Sequence, residues 1–447
     1  MTGNPAHRRW LMLAIGTGGQ TAMTTVLYGM PSLVPAFQRE FGLSLAGAGA
    51  LVSGPIAGIL LTMVGWGAVA DRRGERFALA AGLLPAAAVL AVAAAVPGVP
   101  ALAVLLVLAG AFGASVNAAS GRLVIGWFPP QRRGVAMGVR QASQPLGVGL
   151  AAAVLPPLAE HAGLPAALGC CAVMCAVAGA AVLLLAADPP RPPSAGPASW
   201  PGPYRGARLW RLHGAAALLC VPQFVVAGFA LVFLTVARGW SAATAGTVLA
   251  AANLAGAGVR LAAGWWSDRV GSRVRPMRLL ALATAADVLL LAVGAAADSP
   301  LGTAALLLAT GLTVSTNGLH NTAVAEHAGT AWAGRALGVH GLAQHSAIVL
   351  VPPLTGALIA ARGFVPAFAL AAAFPLVAAA VVPTGPTPAV DDTEAEDTPA
   401  GPAPTGRTSR PKAEGEPRDP GAGHRADHGS TRTVAAPASG LRSSPRP

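Results

Sequence analysis

The chain has 447 residues, of which 54% are hydrophobic and only 11% are charged, with a formal net charge of +12. Soluble domains carry about 25% charged residues, so this composition excludes a soluble globular protein and indicates a protein of the lipid bilayer. The positive charge does not indicate nucleic acid, because the basic residues are scattered between apolar runs, as the positive-inside rule predicts for membrane proteins. The sequence contains no metal-ligand spacing, phosphate-binding glycine loop or nucleophile motif, and it predicts no enzyme, no cofactor and no metal site.

Twelve runs are long and apolar enough to span a membrane, which takes about 20 mostly apolar residues. They are centred in 11–36, 45–70, 77–97, 100–126, 134–158, 164–187, 212–236, 243–266, 277–297, 301–325, 334–360 and 363–383. Arg8 and Arg9 before the first run resemble the start of a signal peptide, but the run is too long for cleavage, and we expect it to be retained. The predicted fold class is an all-α integral membrane protein with twelve transmembrane helices.

Two polar stretches divide the chain. A stretch rich in Pro and Arg separates the sixth run from the seventh, and the C-terminal part is rich in Pro, Gly, Ser and Thr without apolar periodicity, a composition typical of disorder. The predicted domains are an N-terminal six-helix bundle in 1–187, a cytoplasmic linker in 188–211, a C-terminal six-helix bundle in 212–384 and a disordered cytoplasmic tail in 385–447.

The arginines predict the orientation. With both termini inside, sixteen arginines outside the tail fall in the N-terminus or in inner loops, whereas Arg39, Arg238 and Arg362 fall in outer loops. Because cytoplasmic loops carry the excess of basic residues, this asymmetry predicts a multi-pass protein of the cell membrane with both termini cytoplasmic.

One charged decapeptide occurs twice, 197 residues apart, with the pattern G-x-x-x-D-R-x-G-x-R. Each copy closes one apolar run and precedes the next, which predicts a short turn between two membrane helices. In each turn we expect the aspartate to cap the end of a helix, the glycine to turn the chain and the arginines to lie at the headgroup level. The shared residues are Gly67, Asp71, Arg72, Gly74 and Arg76 in the first copy, and Gly264, Asp268, Arg269, Gly271 and Arg273 in the second.

The two decapeptides resemble the loop signature of the major facilitator superfamily, which lies between helices two and three and again between helices eight and nine. The resemblance implies two six-helix bundles with pseudo-two-fold symmetry that rock around a site at their interface, and signature loops that control this conformational cycle. Glu75 departs from the family pattern, since a basic residue is usual there, and we expect it to weaken the charge network of the first half.

The repeat extends beyond the signature, with a constant offset of 200. Ser115 to Asn117 match Ser315 to Asn317, and a G-x-x-x-G-V segment followed by a glutamine occurs in predicted helices five and eleven. The small-x-x-x-small spacing predicts close packing of helix backbones. The matched positions of the second segment are Gly134, Gly138, Arg140 and Gln144 with Gly334, Gly338, His340 and Gln344.

Charged residues inside the spans are candidates for function, because a buried charge in a bilayer is costly. Arg122, Arg140 and Arg260 lie within spans, whereas Asp287 is the one acid that lies deep in a helix. The side chain of Arg122 either touches substrate or reaches the inner surface. Arg260 either binds substrate or forms a structural ion pair with Asp287, since both lie at comparable depth. Arg140 has no acid at its depth, and an excess of guanidinium groups predicts an anionic substrate.

The segment Gly258 to Gly264 also resembles the helix-eight arginine region of oxalate- and monocarboxylate-type members of the superfamily. The sequence departs from these patterns at two places. Helix eleven carries His340 and His345 where a lysine would complete the oxalate pattern, and helix two lacks the arginine that nitrate-type members pair with helix eight.

The same resemblance implies that helices one, four, seven and ten line the cavity. The polar residues on these helices are predicted to bind substrate, with ordinary hydrogen bonding between helices as the alternative. They are Gln20, Thr21, Thr24, Tyr28, Asn117, Gln223, Asn317, His320 and Asn321. If protons drive transport, His320, His340, His345 or Glu326 is expected to carry them, because the ordinary pKa of histidine is near 6.5.

The sequence thus predicts a secondary transporter that moves a small organic anion of the carboxylate type by alternating access. Its expected partners are a small-molecule substrate and the lipid bilayer, with no nucleic acid and no obligate protein partner. A proton-driven exporter of drugs or metabolites is the alternative, although Gln144 to Gly149 lacks the G-P-x-x-G-G segment of many exporters. A membrane sensor that keeps the fold and signals through its tail is the third hypothesis.

Overall fold

The computed structural model describes residues 5–189 and 202–384, and every regular element within these ranges is helical. We call residues 5–189 the N-terminal half and residues 202–384 the C-terminal half. The N-terminal half contains α1 (Pro5–Gly29), α2 (Val34–Phe41), α3 (Leu45–Val52), α4 (Gly54–Arg73), α5 (Glu75–Ala95), α6 (Val99–Trp127), α7 (Arg133–Gln141) and α8 (Ser143–Leu185).

The C-terminal half continues the same all-helical architecture. It contains α9 (Ala207–Val232), α10 (Ala242–Val270), α11 (Val274–Ala296), α12 (Pro300–Ser315), α13 (Asn317–Arg362) and α14 (Phe364–Val381). A π-helical turn, Phe233–Ala237, extends α9. The first five residues of α9, 207–211, fall within the predicted linker. Residues 190–201 of that linker and the predicted tail in 385–447 lie outside the described residues.

Nine helices of the described chain are long and apolar enough to cross a membrane. Two of them are far longer than one crossing needs, namely Pro130–Leu185 with 56 residues and Pro300–Arg362 with 63 residues. Each is broken at a glycine with positive φ, +83° at Gly163 in α8 and +68° at Gly329 in α13. Glycine adopts this backbone conformation without the steric cost that other residues incur, so each break falls where the sequence permits it.

Two repeat-related helices begin with the same cap. Ser44 accepts a hydrogen bond from the backbone N–H of Gly47 before α3, and Ser241 accepts one from Thr244 before α10. A serine at this position satisfies one of the donors that a helix start leaves without a partner. The two caps lie 197 residues apart, the same offset as the two decapeptides, and the repeat therefore includes helix starts as well as loops.

Three buried apolar clusters hold the helices together. One lies within residues 12–186, a second within residues 220–372, and a third joins parts of both halves from residue 13 to residue 382. The outside of the described helices is also apolar, with Leu61 79% exposed and Leu254 73% exposed. Extended apolar surface of this kind is covered by lipid in membrane proteins. The molecule therefore has apolar faces toward lipid and polar groups where its two halves meet.

Candidate functional site

The two halves meet backbone to backbone at two pairs of glycines. A Cβ atom built on Gly67 in α4 would lie 2.4 Å from the carbonyl oxygen of Gly334 in α13. A Cβ atom on Gly264 in α10 would lie 2.3 Å from the carbonyl oxygen of Gly134 in α7. No residue other than glycine fits such a contact without a backbone shift. The close packing predicted from the small-x-x-x-small spacing is confirmed, and the contacts join one half to the other.

Each signature aspartate binds the start of a helix in the opposite half. Asp71 accepts hydrogen bonds from the backbone N–H groups of Gly334 (2.7 Å) and Arg335 (3.0 Å), near the start of the second segment of α13. Asp268 accepts them from Gly134 (2.8 Å) and Val135 (2.9 Å), in the first turn of α7. At Gly134 and Val135, in the first turn of α7, a carboxylate is favoured by the free N–H groups and the helix dipole. The expectation that each aspartate caps its own helix is therefore wrong.

In the N-terminal half the aspartate shares an arginine with a second acid. The Nη1 atom of Arg122 in α6 lies 2.6 Å from Oδ1 of Asp71, and its Nε atom donates to Glu75. We call Gly67, Asp71, Glu75, Arg122 and the helix start at Gly334 the first junction. Glu75 is fully buried and takes part in this network, so the expectation that it weakens the network is wrong. Arg122 belongs to the first junction, where it pairs with both acids.

In the C-terminal half the corresponding cluster is built around Arg273. Its guanidinium lies 2.5 Å from Asp268 and 3.1 Å from Glu326, and Glu326 also pairs with Arg133 at 3.6 Å. We call Gly264, Asp268, Arg273, Glu326 and the helix start at Gly134 the second junction. Both oxygens of Glu326 accept bonds from Arg273, so this residue is held in the junction, and its role as a proton carrier stays a prediction.

The remaining signature residues have unequal roles. Gly74 and Gly271 turn the chain with φ of +98° and +64°. Arg76 ties the first loop to the end of α8, because its side chain donates to the carbonyl of Leu183 at 2.6 Å. Arg72 and Arg269 are exposed, and the Arg269 guanidinium lies 4.9 Å from the centre of the Trp265 indole ring.

A layer of polar side chains surrounds Arg140 between the halves. Arg140 is 4% exposed and donates to Ser120 Oγ at 2.8 Å, to Gln141 Oε1 at 2.8 Å and to Gln20 Oε1 at 3.3 Å. The amide of Gln20 in turn donates to Asn117 Oδ1 at 2.9 Å. Within 5–189 and 202–384 no carboxylate pairs with Arg140, so its charge is solvated only by neutral groups. Ser120 and Gln141 are contacts that the sequence did not single out.

Arg260 reaches the same layer from α10. Its Nη1 atom donates to the backbone carbonyl of Gln141 at 2.7 Å, where α7 passes into α8. Its Nε atom is buried without a hydrogen-bond partner, as are both carboxylate oxygens of Asp287. The described residues therefore do not form the predicted alternative ion pair between Arg260 and Asp287. Both Arg140 and Arg260 instead bind Gln141, one through its side chain and the other through its backbone.

Among the other predicted binding residues, some form hydrogen bonds within their own helix and others have a polar atom without a partner. Asn321 donates to the backbone carbonyl of Asn317 at 2.7 Å and thus caps a turn within its own helix. The side-chain oxygen of Gln223 is buried without a partner, and Tyr28 is half-buried and interacts electrostatically with Arg260. Gln223 therefore keeps a polar atom available for a ligand.

Three histidines are hydrogen-bonded in series in the C-terminal half. His213 Nδ1 lies 3.0 Å from His340 Nδ1, and His340 Nε2 lies 2.7 Å from His320 Nδ1. His345, another predicted proton carrier, lies outside this series, since its Nδ1 binds the carbonyl of Gly341 in its own helix at 2.8 Å. The sequence reading missed His213, although a histidine at the start of an apolar run was a signal available to it.

Comparison with known proteins adds the context for this geometry. The profile of the Major Facilitator Superfamily matches residues 13–352. A protein described as an uncharacterized MFS-type transporter, Rv2994 of Mycobacterium tuberculosis strain H37Rv, is 42% identical over 378 residues, which cover 84% of this chain and 85% of that protein. A second protein of that species, MT3072 of strain CDC 1551, is 41% identical over the same length.

Solved structures show the same fold at low sequence identity. The human organic anion transporter MFSD10 (TETRAN) has a TM-score of 0.67 and 18% identity, covering 86% of this chain and 100% of that one. The transporter FucP in its outward conformation has a TM-score of 0.63 and 16% identity, covering 83% and 96%. The proton:xylose symporter XylE has a TM-score of 0.65 and 18% identity, covering 85% and 97%.

Proposed function

Because the chain belongs to the Major Facilitator Superfamily, we propose that it is a secondary transporter that moves a small organic anion by alternating access. The superfamily consists of membrane-embedded transporters of small molecules rather than enzymes, and this chain is one of them. The carboxylate-type substrate and the coupling to an ion gradient or to a counter-substrate are parts of the proposal.

The proposed topology has twelve membrane helices in two bundles. Nine helices of the described chain have the length and composition of a membrane span. Dividing the two overlong ones at Gly163 and Gly329 gives eleven, and α1 supplies the twelfth. The bundles would be 1–187 and 212–384, joined by a linker in 188–211. The arginine distribution supports a cytoplasmic location for both termini and for the face that carries the two junctions.

The observation that carries the substrate class is a pair of buried arginines without a carboxylate. Arg140 and Arg260 are 4% and 6% exposed, and the ion pairs of the described residues include neither of them. Both donate to Gln141, which brings the two cations to one residue. Like charges buried together are costly, and an anion between them offsets that cost. Although MFSD10 is an organic anion transporter, the likeness at 18% identity concerns the fold alone, so the proposal rests on the arginines.

The experiment is a thermal-shift screen of the purified protein against carboxylates, inorganic anions, sugars and cationic drugs. A ligand that binds the folded protein raises its apparent stability by mass action. We expect carboxylates to raise the melting temperature, and Arg140→Ala or Arg260→Ala to weaken their binding by about 1.5–3 kcal/mol. This loss corresponds to roughly 10- to 150-fold in affinity. Arg→Lys is expected to rescue binding only in part, because the planar two-point geometry is lost.

The matched control is Arg362→Ala, which removes an exposed arginine at the end of α13 and should leave the affinity unchanged. A carboxylate affinity that stays the same in both Arg140→Ala and Arg260→Ala would refute the anion site, whatever happens to their stability.

A further inference from the structure

One continuous line of hydrogen bonds runs through the C-terminal half. It starts at Tyr204, whose hydroxyl lies 3.1 Å from His213 Nε2, and continues from His213 to His340 and from His340 to His320. We call these four residues the histidine line. They come from the segment before α9, from α9 itself, and from the two segments of α13. The line therefore connects parts of the fold that are distant in sequence.

The two ends of the line differ. Tyr204 is beside the first junction, since its ring packs against Trp332, over which the Arg335 guanidinium lies at 4.5 Å. The next residue, Arg205, is exposed. At the other end, Nε2 of His320 is fully buried and has no hydrogen-bond partner. The histidine line thus runs from the side of the molecule that carries the first junction to a buried nitrogen of His320 that has no partner.

The chemistry of imidazole permits only two arrangements of protons along this line. A neutral imidazole has one nitrogen that donates and one that accepts, so the sense of one hydrogen bond determines the sense of the next. In the first arrangement every donor points toward Tyr204 and His320 Nε2 carries a lone pair. In the second every donor points toward His320, and His320 Nε2 carries a proton. Converting one arrangement into the other moves one proton across each link.

We propose that the histidine line is a proton relay between the junction face and the centre of the transporter, and that it couples transport to protons. When a proton binds His320 Nε2, the Nδ1 proton of His320 passes to His340 Nε2. The Nδ1 proton of His340 passes to His213 Nδ1, and the Nε2 proton of His213 passes to the Tyr204 oxygen. The hydroxyl proton of Tyr204 leaves to water, so that one proton enters and one departs. The inference rests on the proposed transport function but not on the choice of an anion.

The groups around His320 connect the relay to the proposed substrate. The charged or titratable side chains that interact with His320 are Arg260 from α10, His213 from α9, and His340 from the second segment of α13. Before it is passed on, the entering proton makes His320 an imidazolium cation that repels the Arg260 guanidinium, and an anion bound to Arg260 relieves this repulsion. Anion and proton therefore favour each other's binding, which is the coupling that a symporter requires.

The Tyr204 end of the histidine line also has the chemistry that a relay requires. Burial raises the pKa of Tyr204 to about 12, so its hydroxyl keeps a proton near neutral pH and remains both a donor and an acceptor. A purely structural line would gain nothing from leaving His320 Nε2 buried without a partner, because an unsatisfied polar atom costs about 1–3 kcal/mol. A nitrogen without a partner inside the protein is the position at which the line can take up a proton from outside the line.

The first test compares His213→Gln and His340→Gln with the control His345→Gln in proteoliposomes, with ¹⁴C-labelled oxalate and lactate as probes. Glutamine keeps a hydrogen-bonding side chain but cannot pass a proton through itself. We expect both relay variants to lose uptake driven by a pH gradient by about 100-fold or more, the lower end of the range for a lost proton-transfer group, while exchange without a gradient continues. His345→Gln should retain both. Unchanged gradient-driven uptake in the relay variants, or a parallel loss of uptake, exchange and melting temperature, would overturn the relay.

A second measurement does not need a transported substrate and so separates this inference from the anion proposal. In protein labelled with ¹⁵N-histidine and embedded in liposomes, solid-state NMR reports which ring nitrogen of each histidine carries a proton. His213→Gln should change this distribution at His320, two links away, whereas His345→Gln should not. If wild-type protein transports neither probe, the anion proposal fails and the NMR result decides the relay. An unchanged His320 signal in His213→Gln would refute it.

Discussion

The two junctions hold equivalent aspartates with opposite arrangements of charge. In the first junction the base comes from a membrane helix, Arg122 in α6, and the second acid comes from the signature loop, Glu75. In the second junction the base comes from the signature loop, Arg273, and the acid comes from a membrane helix, Glu326 in α13. The comparison shows that the repeated feature is a neutralised carboxylate at a helix start, whereas the residues that supply the charges differ.

In the polar layer, positions related by the offset of 200 also carry different residue types in the two halves. Arg140 donates to Ser120 at 2.8 Å, and 200 residues later His340 contacts His320 at 2.7 Å. The same helix-to-helix contact thus joins a permanently charged side chain to a hydroxyl in one half and two titratable rings in the other. Under the two proposals above, the N-terminal half supplies a fixed charge for the substrate and the C-terminal half supplies the proton path.

The largest effect is expected from breaking the charge balance of the first junction. Glu75→Arg would place a second cation beside the buried Arg122 and should cost about 3–5 kcal/mol, the usual loss when one partner of a buried ion pair is removed. Adding Arg122→Glu restores an ion pair between the same two positions with the charges exchanged and should recover most of this loss. Melting temperature and flux are the measurements. A double variant no more stable than Glu75→Arg would mean that the two arrangements are not interchangeable.

A smaller effect is expected from the glycine contacts that both junctions share. Gly67→Ala forces a methyl group against the Gly334 carbonyl and should destabilise the closed junction by about 1–3 kcal/mol, as overpacking does. Gly264→Ala should have an effect of similar size at the second junction.

Each of these variants has a control on its own helix. Gly65 in α4 and Gly258 in α10 have open space where a Cβ would lie, so Gly65→Ala and Gly258→Ala should leave melting temperature and flux unchanged. If Gly67→Ala behaves like Gly65→Ala, the backbone contact does not hold the junction closed.

The smallest effect is expected from the exposed arginines of the signatures. Arg72→Gln and Arg269→Gln should change stability by no more than about 0.5 kcal/mol, because their side chains are exposed. Arg273→Gln should have a clearly larger effect, since it removes the base of the second junction. Equal melting temperatures for the three variants would contradict the assignment of unequal roles within one motif.

The sequence was sufficient for the family and for the repeat, because both depend on local patterns. The decapeptides and the offset of 200 identify the glycines that meet at the junctions, although their partners in the opposite half became visible only in the fold. Counting residues along a helix gives the depth of a side chain but not the direction in which it points. Depth therefore allowed an ion pair of Arg260 with Asp287 as an alternative to substrate binding, whereas in the fold Arg260 donates to Gln141.

Contacts between residues far apart in sequence explain the other misses. Glu75 looked like a defect in the motif because its partner Arg122 lies 47 residues away on another helix. His213 belongs to no repeated segment, and the ring that it contacts lies 127 residues further on. Neither pairing leaves a trace in local composition or spacing, and each requires the helices to be packed before it can be recognised.

The buried pairing of Glu75 with Arg122 has an evolutionary consequence. Asp71 and Glu75 carry two negative charges, which Arg122 and, at 3.7 Å from Asp71, Arg335 offset. Neither position 75 nor position 122 is therefore free to change its charge alone. In relatives of this transporter, positions 75 and 122 should covary, and a sequence with a basic residue at 75 should have lost its arginine at 122. Position 75 lies in α5 and position 122 in α6. A chimera that takes α5 from one relative and α6 from another with a different charge pair would therefore contain unmatched charges at these two positions.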